Sequence, residues 1–253
     1  MYKYTKRKNI ITINLFFQYT AYIAFFYKKK KKKLSRKYKM GDNEYEHEVR
    51  KMIVVGEKYC YNEEIELTVH KKSMFRQGDG FIVYDPNGDI IFRVDLYSPM
   101  KPLGLVLMDT FGKPLLTLLH KRPTLHHRLE GFLGETSDGQ QSILSIWKSM
   151  MIGQSKMMVE LYHESSPDVP IEYQIEGSYN ERSCTIFRMQ HDTSSVHVAQ
   201  IKRKVEPTRN MVLSRDVFSL IVQPGVDAAF VMGLVLALDK IDGDDVALAP
   251  SGG

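Results

Sequence analysis

PGVDAAFVMGLVLALDK, residues 224–240, is the stretch that decides the fold, because the eleven residues Ala228–Leu238 within it are apolar on every side. The opening proline, an acid in the first turn and Lys240 near the end are typical of helix ends. A helix that is apolar around its whole circumference must be buried on all sides. Its apolar length of about 16 Å is roughly half the hydrocarbon thickness of a bilayer, so burial inside the protein is favoured over a membrane span.

We therefore predict a C-terminal helix over about 225–241 that the rest of the domain encloses. Its predicted core residues are Phe230, Leu234, Val235 and Leu238.

The residues before this helix have the pattern of strands. Ile90–Leu96 alternates apolar and polar side chains with period two, as a half-buried strand does. Asn87-Gly88 separates this run from residues 81–85, and Asn-Gly between two such runs is a strong hairpin signal. About twelve runs of this kind centre on residues 65–72, 81–85, 89–96, 105–110, 114–121, 124–134, 142–149, 155–163, 171–177, 183–190, 195–205 and 217–223.

Twelve strands without helices between them indicate an antiparallel sandwich or barrel. A barrel of eight strands has room only for its own side chains, so about twelve strands make an interior wide enough for a helix. The pattern therefore predicts a mainly β fold, in which an antiparallel barrel of about twelve strands encloses the central hydrophobic C-terminal helix.

Charged residues are unevenly distributed along the chain. The net charge is +5, but residues 1–40 hold 13 Lys and Arg and no acid, whereas the remaining 213 residues have a net charge of −8. An acidic body argues against nucleic-acid binding by the barrel. We predict an N-terminal extension over 1–40, a flexible segment over 41–58, the barrel domain over 59–242 and a disordered tail over 243–253.

The first forty residues admit three interpretations. Residues most often encoded by A/T-rich codons make up 28 of the first 39, which is typical of untranslated sequence included in a gene model and followed by a true start at Met40. The uncharged stretch Asn9–Tyr27, flanked by Lys28–Lys33, also fits a membrane anchor with a polybasic flank. A targeting segment is the third interpretation.

Catalytic and metal motifs are missing from the sequence. It contains no GxSxG, P-loop, HExxH or GxGxxG pattern, and Cys60 and Cys184 have no CxxC spacing. Adjacent His126 and His127 would point to opposite faces of a strand, so they do not readily chelate one ion. We predict a protein that is not an enzyme and has no cofactor and no metal site.

Basic residues on strands are the candidate binding residues. Lys202 and Lys204 share one strand face about 7 Å apart, which suits one phosphorylated head group. Lys121 and Arg122 add positive charge at the end of another strand. A solvated charged face is the alternative interpretation of these residues.

Three groups of residues give the chain a family resemblance that covers roughly Tyr59–Asp242. They are Gly177-Ser178 with Glu181-Arg182-Ser183-Cys184, Val198-Ala199-Gln200-Ile201 with Arg203-Lys204, and Asp216-Val217-Phe218-Ser219-Leu220 followed by Pro224, Asp227, Ala229-Phe230 and Leu238-Asp239. On these residues the chain resembles the plant LURP-one-related proteins, a group similar to the tubby C-terminal domain and the phospholipid scramblases. The resemblance implies a twelve-stranded barrel around a central helix, in agreement with the strand pattern.

The resemblance also carries functional expectations. It implies a non-enzymatic, tubby-like domain that is tethered to membranes through phosphoinositides and linked to transcription regulation or plant defence. We expect an anionic lipid or a protein as partner, a monomeric chain, and a location in the cytoplasm, at the plasma membrane periphery or in the nucleus. A scramblase-like lipid transporter and a barrel that binds a small apolar ligand are the alternatives.

Overall fold

A computed structural model describes residues 51–72, 80–96, 104–121, 128–136, 139–149, 156–163, 166–190, 194–206 and 211–248. The first forty residues and most of the segment 41–58 therefore lie outside the described residues. The elements are β1 Ile65–Lys72, β2 Gly80–Tyr84, β3 Ile90–Leu96, β4 Leu105–Asp109, β5 Pro114–His120, β6 Leu129–Leu133, β7 Leu144–Lys148, β8 Met157–His163, β9 Ser166–Ser178, β10 Ser183–Met189, β11 Ser195–Arg203, β12 Val205–Glu206, β13 Met211–Val212, β14 Val217–Val222 and α1 Ala228–Leu248.

Twelve of these strands form a closed antiparallel barrel. Each pairs with its neighbour in sequence, and β14 closes the barrel by pairing with both β11 and β1. The remaining strands, β12 and β13, form a separate two-stranded ladder. Each of the twelve predicted runs overlaps one barrel strand, so the predicted fold class is confirmed.

The helix α1 fills the barrel. Its residues from Ala228 to Leu238 are all buried, and the ring of Phe230 lies 5.3 Å from that of Tyr173 on β9. The four predicted core residues lie inside, with Phe230, Leu234 and Val235 at 0% exposure and Leu238 at 3%. No helix among the described residues is both long enough and apolar enough to cross a membrane.

The helix boundaries differ from the predicted 225–241. Pro224 and Gly225 form a turn, and the helix begins only at Ala228, because the Asp227 side chain caps it. Asp227 Oδ1 accepts hydrogen bonds from the backbone N–H groups of Ala229 and Phe230, at 3.0 and 3.2 Å. At the other end the helix continues through Asp242 to Leu248, so residues 243–248, which the sequence assigned to a tail, are helical.

The chain before β1 is attached to the start of the helix. The backbone N–H groups of Val54, Val55 and Gly56 all donate to Asp227 Oδ2, at 2.7 to 3.0 Å, and the N–H of Met52 donates to the Gly225 carbonyl at 2.8 Å. Residues 52–56, which the sequence placed in a flexible segment, are therefore held in place. We call residues 51–60 the N-terminal strap.

Candidate binding surface

The two predicted head-group lysines lie together on the outside of the barrel but in different surroundings. Lys202 on β11 pairs in register with Ser219 on β14, and its side chain is exposed. It makes no hydrogen bond or ion pair with any residue that the structure describes. Lys204 follows β11 directly, and its Nζ lies 2.7 Å from Oε1 of Glu66 on β1.

Glu66 neutralises Lys204. Its Oε1 accepts hydrogen bonds from Lys204 and from the hydroxyl of Ser219, the latter at 2.7 Å. These two hydrogen bonds, Lys204 first, hold the pKa of the Glu66 carboxyl below its ordinary value. Glu66 is therefore ionised at neutral pH, and an anionic ligand at Lys204 would have to displace it. Sequence reasoning missed Glu66, whose only local signal is a carboxylate on the polar face of β1.

A surface groove of about 500 Å³ lies next to this ion pair. Its lining residues come from β1, from the β2–β3 turn and from the end of β11. They are Glu66, Thr68, Tyr84, Asp85, Pro86, Asn87, Gly88 and Lys204. The Asp85 carboxylate accepts the backbone N–H groups of Asn87 and Asp89 within its own turn, at 2.9 and 2.8 Å. The groove thus presents two carboxylates and one ammonium group.

The other two predicted residues do not join this site. Lys121 follows β5, and its ammonium group pairs with Glu130 on β6. Counted around the closed barrel, β5 lies six strands from β11 in either direction, on the opposite side. Arg122 lies outside the described residues. Lys121 therefore does not share a binding site with Lys202 and Lys204.

The residues that carry the family resemblance have structural contacts. The Arg182 guanidinium is buried against two rings, 4.0 Å from the ring centroid of Tyr179 and 4.5 Å from that of Phe218. Its Nε donates to the Arg215 carbonyl at 2.8 Å, and one Nη donates to the Tyr179 carbonyl at 3.1 Å. These contacts join the β9–β10 turn to the start of β14.

Asp239 fixes the far half of the helix to the barrel. Its Oδ1 accepts hydrogen bonds from the Tyr179 hydroxyl, at 3.1 Å, and from Lys71 Nζ on β1, at 2.9 Å. Burial, and then the charge of Asp239, raise the pKa of the Tyr179 hydroxyl well above its ordinary value. Tyr179 therefore stays a neutral donor, and the network has a structural role.

The two cysteines are buried thiols. Burial raises the pKa of Cys60 to about 11 and that of Cys184 to about 12. A thiol with such a pKa is protonated at neutral pH and is a poor nucleophile. Within the described part of the chain, no three His, Cys, Asp or Glu side chains group closely enough to hold a metal ion.

The fold defines a class of protein: a closed antiparallel barrel that is filled by its own C-terminal helix. The family model described as LURP-one-related matches residues 65–239, so the chain belongs to the LURP-one-related family. It is 52% identical over 195 residues to Protein LURP-one-related 12 of Arabidopsis thaliana, covering 76% of this chain and 85% of that protein.

Two further similarities agree with this assignment. Protein LURP-one-related 5 of Arabidopsis thaliana is 46% identical over 197 residues, covering 77% of this chain and 91% of that protein. The X-ray structure of a protein from Arabidopsis thaliana superposes with a TM-score of 0.55 at 25% identity. That match covers 75% of this chain and 98% of the solved chain.

Proposed function

We propose that this LURP-one-related protein is not an enzyme and acts by binding a partner on the outer surface of its barrel. The observation that supports the proposal is the filled interior. Every residue of α1 from Ala228 to Leu238 is buried, so the space that would hold a small ligand contains the protein's own side chains. The high pKa values of Cys60 and Cys184 also support a non-catalytic role.

The filled interior weighs against both alternatives. A scramblase-like mechanism that inserts the helix into a bilayer needs α1 outside the barrel, where its apolar side chains would lose their burial. A barrel that binds a small apolar ligand needs the volume that Phe230 and Leu234 occupy.

The first partner that we propose is an anionic membrane lipid with a phosphorylated head group, such as a phosphoinositide. Lys202 supports it, because this ammonium group is exposed and has no hydrogen bond or ion pair with a described residue. Lys204 lies two residues further along the chain but is held by Glu66. A surface lysine contributes about 1 kcal/mol near an anionic membrane, so binding through Lys202 alone is weak and sensitive to salt.

Removing the Glu66 charge tests this surface. We expect Glu66→Gln to strengthen binding to phosphoinositide vesicles about fivefold, because the substitution removes a negative charge and releases Lys204. Lys202→Glu reverses a charge and should weaken binding by more than this factor. Vesicle cosedimentation of both variants at low and high salt measures these changes.

The matched control is Glu130→Gln, which removes the partner of Lys121 on the opposite side of the barrel. Lys148→Glu, at the end of β7, controls for net charge. Stronger binding by Glu130→Gln, with no effect of Glu66→Gln, would contradict the proposed surface.

The groove beside Glu66 favours a second candidate, a protein partner. Its mixed charges and the Tyr84 side chain suit a polar peptide segment better than a purely anionic ligand. If a protein partner binds this groove, Glu66→Gln and Lys204→Glu should both weaken binding of that partner. If the ligand is an anionic lipid, Glu66→Gln should strengthen binding to vesicles and Lys204→Glu should weaken it.

The wider roles stay predictions. A link to transcription regulation or plant defence is implied by the family resemblance, and none of the described contacts bears on it. A location in the cytoplasm, at the periphery of the plasma membrane or in the nucleus, and a monomeric state are proposals of the same kind. Imaging of a fluorescently tagged full chain beside its Lys202→Glu variant tests the location.

A further inference from the structure

The β4–β5 turn presents an aromatic ring to solvent. Phe111 at its tip is 94% exposed, more than any other large apolar side chain that the structure describes. Burying an aromatic side chain is favourable, so a binding partner that covers this ring would gain free energy from removing it from water. Single exposed apolar residues are common, and what distinguishes Phe111 is how its turn is built.

Hydrogen bonds within the turn hold the backbone of Phe111 in one position. Asp109 Oδ1 accepts the backbone N–H groups of Phe111 and Lys113, both at 3.0 Å, and its carbonyl accepts the N–H of Gly112 at 3.1 Å. Gly112 has a φ of +83°, which suits glycine. The Asp109 side chain is itself buried. The backbone of the turn is therefore ordered before binding, so binding costs little backbone entropy.

Three cationic side chains lie in or beside the turn. Lys113 is exposed within the turn, and Lys58 of the N-terminal strap reaches to 3.9 Å from Asp109 Oδ2 with its side chain 66% exposed. One Nη of Arg93 lies beside Gly112, 3.3 Å from where a β-carbon would be. The single carboxylate of the turn is buried and already accepts hydrogen bonds, so the tip has an excess of positive charge.

Partly exposed apolar residues flank the turn at the same end of the barrel. Ile90 at the start of β3 is 39% exposed, and Leu133 at the end of β6 is 37% exposed. In an up-and-down barrel, the start of β3, the β4–β5 turn and the end of β6 share one end. Asp89 and Glu135 lie next to these residues and limit the apolar contact to the projecting tip.

We propose that Phe111 inserts into the interface of an anionic lipid bilayer while Lys113 and Lys58 contact the head groups. A convex tip with an aromatic ring above cationic groups matches a flat anionic surface, where aromatic rings partition near the head groups. A protein partner would instead need a pocket shaped for the ring. This contact does not rest on Lys202, because β11 lies across the barrel from β4 and β5.

Tryptophan fluorescence tests the insertion site by site. In the full chain, Phe111→Trp should shift its emission to shorter wavelength on vesicles of phosphatidylcholine and phosphatidylserine, and brominated lipids should quench it. The wild type, with Trp147 alone, gives the background. The comparison variant is Met211→Trp, whose 57% exposed position lies on β13, close to Lys204. Insertion through the β4–β5 turn predicts no shift there, whereas binding through the Lys202 surface predicts one.

Lipid and folding controls complete the experiment. Vesicles of phosphatidylcholine alone should give a smaller shift in the Phe111→Trp emission. Phe111→Ala should unfold at the wild-type temperature, because the Phe111 ring makes little contact with the rest of the protein. An unshifted Phe111→Trp spectrum on vesicles that bind the chain would overturn the proposal, and so would equal shifts at positions 111 and 211. Loss of vesicle binding by Lys202→Glu without a Phe111→Trp shift would support the head-group surface and overturn this inference.

Discussion

Gly177 shows how one residue constrains the barrel. It lies near the end of β9 with a φ of +105°, and a β-carbon there would sit 2.1 Å from the Ser183 carbonyl oxygen. That oxygen belongs to the backbone of the paired strand β10, so it cannot move aside as a side-chain atom could. Gly177 is one of the residues that carry the family resemblance, and the structure gives the physical reason for glycine.

We expect Gly177→Ala to destabilise the protein by about 2–5 kcal/mol, from backbone strain together with the steric clash. Gly88→Ala is the matched control, because Gly88 has a φ of +90° but no atom within 4 Å of the position that a β-carbon would occupy. The Gly88→Ala variant should lose only about 1–2 kcal/mol of its free energy of unfolding. Thermal unfolding measures both, and equal losses would show that the clash with Ser183 is relieved at little cost.

Asp227 combines two tasks in one side chain. One carboxylate oxygen caps α1 and the other accepts three N–H groups of the N-terminal strap, although the residue is fully buried. Hydrogen bonds to both oxygens offset the cost of burying a charge. The sequence placed an acid at the start of the helix, but the strap donors lie 171 to 173 residues away in the chain and could not be predicted from local pattern.

At the scale of elements, the local periodicity of the sequence predicted the barrel strands. The strands were predictable because alternating side chains reflect one buried and one exposed face, as in β3. The C-terminal end of α1 could not be predicted, because the acidic residues between Asp242 and Asp245 interrupt the apolar pattern. The Lys204–Glu66 ion pair was missed for another reason: it joins β1 to the end of β11 across β14, and only the closed register brings these two side chains together.

The helix α1 should be essential to the fold. We expect Val235→Asp to abolish cooperative unfolding of the barrel, because a carboxylate at a position with 0% exposure has no partner. Leu234→Ala should cost about 2–5 kcal/mol, a large share of a typical stability of about 5–15 kcal/mol. Calorimetry of each variant measures the loss.

Val212→Asp, at a 55% exposed position on β13, is the control for the new charge and should unfold like the wild type. A chain ending at Pro224 should not fold. A melting transition near the wild-type temperature in Val235→Asp, or in the shortened chain, would contradict the enclosed helix.

At the scale of the whole molecule, the barrel and its N-terminal strap form one folded unit. The compact unit that contains the barrel begins at Val49, before the strap. The strap supplies three donors to Asp227, and it also contributes Tyr59, whose ring lies 5.2 Å from that of Phe92. A barrel without the strap would therefore keep its strands but leave a buried carboxylate with fewer hydrogen bonds.

We expect a chain that begins at Val49 to be folded, and one that begins at Tyr61 to lose about 3–5 kcal/mol, since hydrogen bonds to a buried charge contribute about 1.5–3 kcal/mol each and do not add fully. Urea unfolding of the two chains measures the difference. Asp227→Asn in the longer chain should lose part of the same free energy, and its effect should shrink in the shorter chain. Equal midpoints for both lengths would contradict a stabilising role of the strap.

The enclosed helix also determines the order in which the molecule can be made. α1 follows the last strand, β14, and β14 must pair with β1, which is synthesised far earlier, with Ile65 paired to Val222. During translation, the inward faces of β1–β11 emerge before either their closing strand or their central helix exists. Contacts of such long range form slowly and leave apolar surface exposed meanwhile. The nascent chain can therefore complete its core only after the helix has left the ribosome, and until then its inward apolar faces stay exposed.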